Sequence, residues 1–112
     1  MRKKVMIVVD SDPRQGPRAA EALRVAAGLA AWMTNEITLC LMGPAAMLLH
    51  GNGDLIGDED IRMAWSVLRE ARAAVFVDAV PPANGPAPGT VRQITPPAFA
   101  RLAAQADYLL RF

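Results

Sequence analysis

Three carboxylates and one thiol are the side chains of this chain whose types and positions could support chemistry. Asp10 and Asp12 follow an apolar run as the tripeptide Asp-Ser-Asp. Asp78 ends a second apolar run, just before a stretch rich in proline and glycine. Cys40 is the single cysteine of the sequence. Carboxylates can bind a divalent cation or transfer a proton, and a thiolate can act as a nucleophile or carry sulfur.

The Asp10-Ser-Asp12 segment resembles the acidic motifs that haloacid-dehalogenase-type phosphatases and receiver domains place after a strand. Phosphoryl transfer also needs a cation near the phosphate, normally a lysine at a later strand end, and further acids for the metal. The lysines here are Lys3 and Lys4, at the opposite end of the first strand, and Pro13 stands close behind the second acid. The pattern therefore favours a turn and helix-capping role, with a phosphate-handling or small-molecule enzyme using Asp10, Asp12 and Asp78 as the alternative.

Other motifs for cofactors or metals are missing from the sequence. Neither the dinucleotide-binding glycine pattern nor the phosphate-binding loop pattern occurs, and Gly51-Asn52-Gly53 reads as a flexible turn. The single histidine, His50, has no Cys or His at the spacing of a metal site. We therefore predict no metal site and no cofactor.

Cys40 lies within an apolar strand-like run, between Leu39 and Leu41. Buried free cysteines usually behave as small hydrophobic residues, and apolar surroundings raise the thiol pKa and lower its reactivity. We therefore predict an inert core thiol, with a sulfur carrier that uses Cys40 as the alternative.

Apolar runs without alternation are typical of strands buried on both faces, as in a parallel sheet. Helical periodicity and end signals separate these runs, including Thr95 as a cap before Pro96. The sequence predicts five strands, at 3–9, 36–42, 74–78, 90–94 and 107–112. It predicts helices at about 18–33, 58–72 and 95–106, with a short one at 43–51.

The helices carry apolar stripes that predict their buried faces. The stripes are Ala22, Val25, Leu29, Trp32 and Met33 on the first, Ile61, Ala64, Trp65, Leu68 and Ala71 on the second, and Phe99, Leu102, Ala103 and Ala106 on the third. Met47, Met63 and both tryptophans are accordingly predicted to be core residues.

The alternation of strands and helices predicts right-handed crossovers and a parallel sheet covered on both faces. We expect one α/β domain over residues 1–112, a three-layer α/β/α structure of Rossmann or flavodoxin type. Ligands of such sheets bind beyond the carboxyl ends of the strands. The candidate ligand-binding edge consists of Asp10, Ser11, Asp12, Gly43 and Asp78.

Composition limits the partners of the chain. The balance of 12 basic and 11 acidic residues gives no basic patch for nucleic acid. No window approaches the ~20 apolar residues of a membrane span, and a single cysteine is typical of a cytoplasmic protein. The hydrophobic content of 53% predicts that part of the surface lies in a subunit interface.

Taken in order, the segments of the chain resemble the DsrE/DsrF-like family, small sulfur-relay proteins that include subunits of the Tus and Dsr sulfurtransferase complexes. The resemblance covers nearly the whole chain and rests on "KKVMIVVDSDP", "AAEALRVAAGLA", "EITLCLMGPAAMLL", "VLREARAAVFVDA" and "LAAQADYLLRF". It implies a five-stranded parallel α/β/α domain that forms trimers or hexamers, with itself or with related DsrE-like subunits. In sulfur-transferring members, a cysteine just after the third strand carries a persulfide.

In this chain, the position after the third strand is Asp78. A carboxylate cannot form a persulfide, which requires a thiolate sulfur. The resemblance thus implies a non-catalytic protein linked to sulfur metabolism, with no catalytic residue. It also implies that the second strand lies between the first and third. Asp10 and Asp78 would then be ~10 Å apart, too far to share a magnesium ion.

Overall fold

A computed structural model of the protein describes residues 2–32, 34–49, 59–82 and 91–112. Strands and helices alternate along the chain. The strands are β1 (Lys3–Val9), β2 (Asn35–Leu41), β3 (Ala74–Val77), β4 (Val91–Gln93) and β5 (Tyr108–Arg111). The helices are α1 (Arg18–Ala30), α2 (Glu59–Glu70) and α3 (Pro96–Gln105), with a 3₁₀ helix at Gly43–Leu49.

All five strands pair in parallel in one sheet, in the order β4-β3-β2-β1-β5. The predicted α/β class and the five parallel strands are confirmed. The expected position of β2 between β1 and β3 is confirmed as well. Val9 pairs with Leu41, and Leu41 pairs with Val77, so the carboxyl ends of these three strands are level.

The main core lies between the sheet and the pair α1 and α2. Because side chains alternate along a strand, Val5, Ile7 and Val9 of β1 point into this core. Trp65 of α2 is its largest fully buried side chain, at 1% exposure. The indole Nε1–H of Trp65 is buried and has no hydrogen-bond partner among the described residues.

The opposite face of the sheet packs against α3. Met6, Val8 and Cys40 form the small buried cluster there. The predicted apolar stripe of α3 contacts this cluster: Phe99, Leu102, Ala103 and Ala106. The three layers are therefore present but unequal, because no residue of α3 itself is fully buried.

The buried face of α1 differs from the predicted one. The helix ends at Ala30, and Trp32, expected in the core, is 70% exposed in the turn that follows. Val25 and Leu29 are only half-buried, and the fully buried residues are mostly alanines: Ala19, Ala22, Leu23, Ala26, Ala27 and Ala30. Small side chains let α1 approach both the sheet and α2 closely, which counting large apolar residues does not reveal. Met33 lies outside the described residues.

The predicted stripe of α2 is confirmed for Ile61, Ala64, Trp65 and Leu68. Met63 was predicted to be in the core, and this prediction is wrong, since its side chain is 60% exposed. Met47, within the 3₁₀ helix, is half-buried.

The C-terminal end of α2 is a Schellman turn. The N–H of Ala73 donates to the carbonyl of Leu68 at 3.0 Å, and the N–H of Arg72 donates to that of Arg69 at 3.1 Å. Arg72 has a φ of 57°, in the left-handed region that favours glycine. The turn leads directly into β3.

The start of α3 agrees with the prediction. Thr95 caps α3, because its hydroxyl accepts a hydrogen bond from the N–H of Ala98 at 3.4 Å, and proline occupies the first turn as predicted. None of the helices within the described ranges has the length and apolar character needed to cross a membrane. His50 and Gly51-Asn52-Gly53 lie outside the described residues.

Candidate functional site at the carboxyl ends of the strands

The candidate residues follow three neighbouring strands at one edge of the sheet. Asp10 follows β1, Gly43 follows β2 after one residue, and Asp78 follows β3. Because β2 separates the other two strands, Asp10 and Asp78 are two strand spacings apart, ~10 Å at ~4.8 Å per spacing. Gly43 therefore lies between the two carboxylates along this edge.

Asp10 is paired with Arg111, a residue that the sequence analysis did not select. Both Nε and Nη2 of Arg111 donate to Oδ2 of Asp10, at 2.9 and 2.5 Å. The two residues are 101 positions apart and meet because β5 pairs with β1. Ser11 is held at the same place, since its hydroxyl donates to the carbonyl of Phe112 at 3.3 Å. No local sequence signal could have found this pairing.

Asp12 is engaged with Arg14 inside the turn after β1. Its Oδ1 accepts hydrogen bonds from the backbone N–H and from Nε of Arg14, at 2.8 and 3.1 Å, and its Oδ2 accepts one from Nη2 at 2.9 Å. The side-chain hydrogen bond from Arg14 is the main cause that lowers the pKa of Asp12 below its ordinary value. The predicted turn role fits this geometry.

The predicted helix-capping role does not fit it. The N-cap of α1 is Pro17, and no side chain caps it by a hydrogen bond. The helix itself starts only at Arg18. The intervening residues form a separate turn, in which the N–H of Gln15 donates to the carbonyl of Asp12 at 3.0 Å.

Asp78 has a structural contact of its own. Its Oδ2 accepts a hydrogen bond from the backbone N–H of Gly43 at 2.9 Å. Gly43 has a φ of 56°, a conformation that glycine adopts without strain, and it starts the 3₁₀ helix. The contact fastens the end of β3 to the turn that leaves β2. Asp78 nevertheless remains exposed to solvent.

The three carboxylates thus have three different partners: a guanidinium from β5, a guanidinium within the turn, and a backbone N–H. Residues 2–32, 34–49, 59–82 and 91–112 contain no group of three or more His, Cys, Asp or Glu side chains placed to hold a metal ion. The arrangement orders the strand ends and the turns that follow them. It does not bring the carboxylates of Asp10, Asp12 and Asp78 together in one site.

Cys40 lies on the other face of the sheet from the main core, inside the cluster under α3. It pairs with Val8 of β1 and with Phe76 of β3, and its side chain is 0% exposed. Desolvation raises the pKa of the thiol to about 12. The predicted burial of Cys40 is confirmed.

No family model matches the chain, and no curated protein matches it in sequence. The fold, in contrast, has a clear counterpart among solved structures. The crystal structure of the ychN protein from E. coli, a DsrE-like fold protein, matches with a TM-score of 0.75 and 22% sequence identity, over 100% of both chains. This chain has the DsrE-like fold.

The match extends over the whole DsrE-like fold, so the order of strands and helices is shared from β1 to β5. Identity of 22% establishes the architecture and assigns no activity. At the end of β3, this chain has Asp78, with its hydrogen bond to Gly43.

Proposed function

We propose that this protein is a non-catalytic DsrE/DsrF-like protein, a structural or binding component linked to intracellular sulfur metabolism. It acts as a homo-oligomer, trimeric or hexameric, or together with related DsrE-like subunits. The DsrE-like fold supports the placement in this group, and the side chains of Asp78 and Cys40 support the non-catalytic role.

The main support for this proposal is the contact between Asp78 and Gly43. At the strand end where a sulfur carrier needs a thiolate, this chain has a carboxylate whose Oδ2 lies 2.9 Å from the Gly43 nitrogen. The carboxylate cannot form a persulfide, but it can accept the N–H and hold two strand ends together. An acid at this position stabilises the edge of the sheet at the expense of sulfur chemistry.

The two alternatives are less well supported by the geometry. A phosphate-handling or small-molecule enzyme needs Asp10, Asp12 and Asp78 to act together, yet each is engaged with a different partner. A sulfur carrier based on Cys40 needs an accessible thiolate. The thiol is fully buried, and its pKa is raised to about 12.

Replacing Asp78 with cysteine tests the proposal directly. We expect the native chain to gain no sulfur from inorganic polysulfide, whereas Asp78→Cys gains one sulfur atom as a persulfide, measured by intact-protein mass. Attack of the thiolate introduced at position 78 on a polysulfide sulfur forms the new S–S bond and releases a shorter polysulfide. The N–H of Gly43 would favour the thiolate, so its labelling should begin at a lower pH than that of an ordinary exposed thiol.

Val80→Cys is the matched control, since Val80 is 82% exposed in the same segment but outside the contact with Gly43. Its thiol should be labelled only as the pH approaches the pKa of an unperturbed cysteine. Sulfur loading of the native chain at Cys40 would overturn the non-catalytic role. Equal pH profiles for the two cysteine variants would show that position 78 has no special environment.

The proposed assembly has its own measurement. Light scattering at micromolar concentration should give a mass of at least three chains, because much apolar side-chain area lies at the surface of the protomer. Trp32, Met63, Val80, Tyr108 and Leu109 are large hydrophobic residues that are exposed in it. A clean species of 12.0 kDa would contradict the oligomeric part of the proposal.

A further inference from the structure

β5 forms one outer edge of the sheet. It pairs with β1 on one side, and no strand in the described part of the chain pairs with it on the other. Phe112 donates its N–H to the carbonyl of Val8 and accepts from the N–H of Asp10, so its backbone faces β1. Since backbone groups alternate along a strand, those of Leu109 and Arg111 face the open edge. Just before the strand, Asp107 departs from this alternation, since its N–H donates inward, to the carbonyl of Lys4.

The side chains of this edge are unusually apolar for an open strand. Tyr108 is 57% exposed and Leu109 is 48% exposed, and they lie on opposite faces of the sheet. Edge strands of monomers normally carry charges, prolines or bulges that prevent pairing with another chain. The other outer strand, β4, is only three residues long and exposes Arg92 and Gln93. The open edge that could pair with another chain is therefore that of β5.

A second copy of the same strand could extend the sheet by antiparallel pairing about a two-fold axis perpendicular to the sheet. Such an axis keeps each side chain on its own face, so residues directly opposite each other must belong to the same face. The axis must then pass midway between the two copies of one residue, which pairs with itself. Tyr108, Leu109 and Leu110 are the candidates for this residue.

Charge distinguishes the three registers. With Leu109 on the axis, Asp107 of each copy lies opposite Arg111 of the other, and Tyr108 lies opposite Leu110. Opposite charges and aromatic–aliphatic pairs both stabilise antiparallel strands. With Leu110 on the axis, Arg111 would face Leu109. With Tyr108 on the axis, Asp107 would face Leu109.

We propose that β5 is a self-association edge, at which two copies of the chain pair antiparallel through Leu109 with reciprocal Asp107–Arg111 ion pairs. This rests on the oligomeric part of the proposed function and adds the edge and the register; the charge-reversal mixture and the cross-link can fail while the oligomer persists. Both charged residues have capacity for a second partner. Oδ2 of Asp107 accepts from the N–H of Lys4 at 2.8 Å, and Oδ2 of Asp10 binds two of the five guanidinium N–H groups of Arg111.

Charge reversal with mixing tests the register. Asp107→Lys alone sets Lys against Arg twice, and Arg111→Glu alone sets Asp against Glu twice. Each should weaken the association about tenfold, as measured by sedimentation equilibrium. An equimolar mixture of the two variants restores both opposite-charge pairs and should regain nearly native affinity. Circular dichroism confirms that each variant is folded.

A cross-link tests the axis independently of charge. In Leu109→Cys, the two new thiols lie directly opposite each other, at a Cα separation of about 5.5 Å that a disulfide can span. Mild oxidation should give a covalent dimer. Glu70→Cys, exposed at the end of α2, should give none under the same conditions. A monomeric native chain, a mixture no stronger than its components, or equal cross-linking at both positions would each overturn the proposal.

Discussion

Each acidic side chain at the strand ends of this protein is engaged with a different partner residue. Asp78 illustrates this, because one carboxylate oxygen accepts one backbone N–H, from Gly43, across 35 positions of sequence. A carboxylate that accepts such a bond fixes two turns relative to each other without needing a ligand. The same residue type in the same place would indicate catalysis only if other acids or a metal converged on it.

Asp78→Ala should lower the free energy of unfolding by about 1 kcal/mol, because the N–H of Gly43 loses its acceptor. The site is exposed, so water replaces part of the lost bond. Urea denaturation measures the change. Asp78→Asn keeps an acceptor oxygen and should recover most of the loss. If both variants lose the same stability, the hydrogen bond is not what the carboxylate contributes.

Cys40 should make the stability fall in alkaline solution. Burial raises its folded-state pKa from 9.0 to about 12, so above pH 9 the unfolded chain releases a proton that the folded chain keeps. The contribution is present below pH 9 and is lost as the pH rises towards 12, by at most about 1.4 kcal/mol per pH unit.

The comparison with Cys40→Ala isolates this contribution. Contributions from all other groups are the same in both proteins and cancel in the difference. Urea denaturation at neutral pH and at several values between 9 and 12 should show the native chain losing stability relative to the variant. Parallel pH profiles, or fast labelling of the native thiol at neutral pH, would contradict the burial of this group.

At the scale of elements, the two helices on the main face are packed by different means. α2 buries large residues such as Trp65 and Leu68, whereas α1 buries a row of alanines. The periodicity of large apolar residues predicted the buried face of α2 correctly and that of α1 wrongly. α2 also ends in a way that sequence alone did not reveal, with Arg72 in the left-handed conformation.

Arg72→Gly should raise the stability by about 1 kcal/mol, because a residue with a Cβ atom is strained at a φ of 57° and glycine is not. Arg72→Ala removes the charge and keeps the strain, so it should leave the stability nearly unchanged. Thermal unfolding of the three proteins measures both effects. A gain in the alanine variant equal to that in the glycine variant would identify the charge, rather than the backbone, as the cause.

At the scale of the whole molecule, strand order decides what the acids can do together. The order β4-β3-β2-β1-β5 inserts β2 between the strands that end in Asp10 and Asp78. An order that placed β1 beside β3 would bring the same two carboxylates to adjacent strand ends. A shared cation site would then be geometrically possible.

We therefore expect magnesium to bind weakly and without preference for this edge. A magnesium ion lies ~2.1 Å from each oxygen ligand, which two carboxylates ~10 Å apart cannot satisfy. Calorimetric titration of the native chain and of Asp10→Asn should give the same weak signal. A tight site that disappears in this variant and in Asp78→Asn would support the phosphate-handling alternative instead.

The sequence by itself determined the local features of this protein. The unbroken apolar runs identified β1 and β2 as buried strands, Thr95 and Pro96 placed the start of α3, and the alternation of elements indicated a parallel sheet. The apolar neighbours of Cys40 were enough to predict its burial. These features depend on near neighbours in the chain and on the preference of apolar side chains for the interior.

Only the tertiary structure decided which distant residues meet. Arg111 contacts Asp10 because β5 pairs with β1. Gly43 contacts Asp78 because the carboxyl ends of β2 and β3 are level. The alanine face of α1 likewise depends on how closely two helices and a sheet approach. The contact between Asp10 and Arg111 joins residues 101 positions apart. No periodicity or motif encodes such contacts, since they follow from the order in which strands pair.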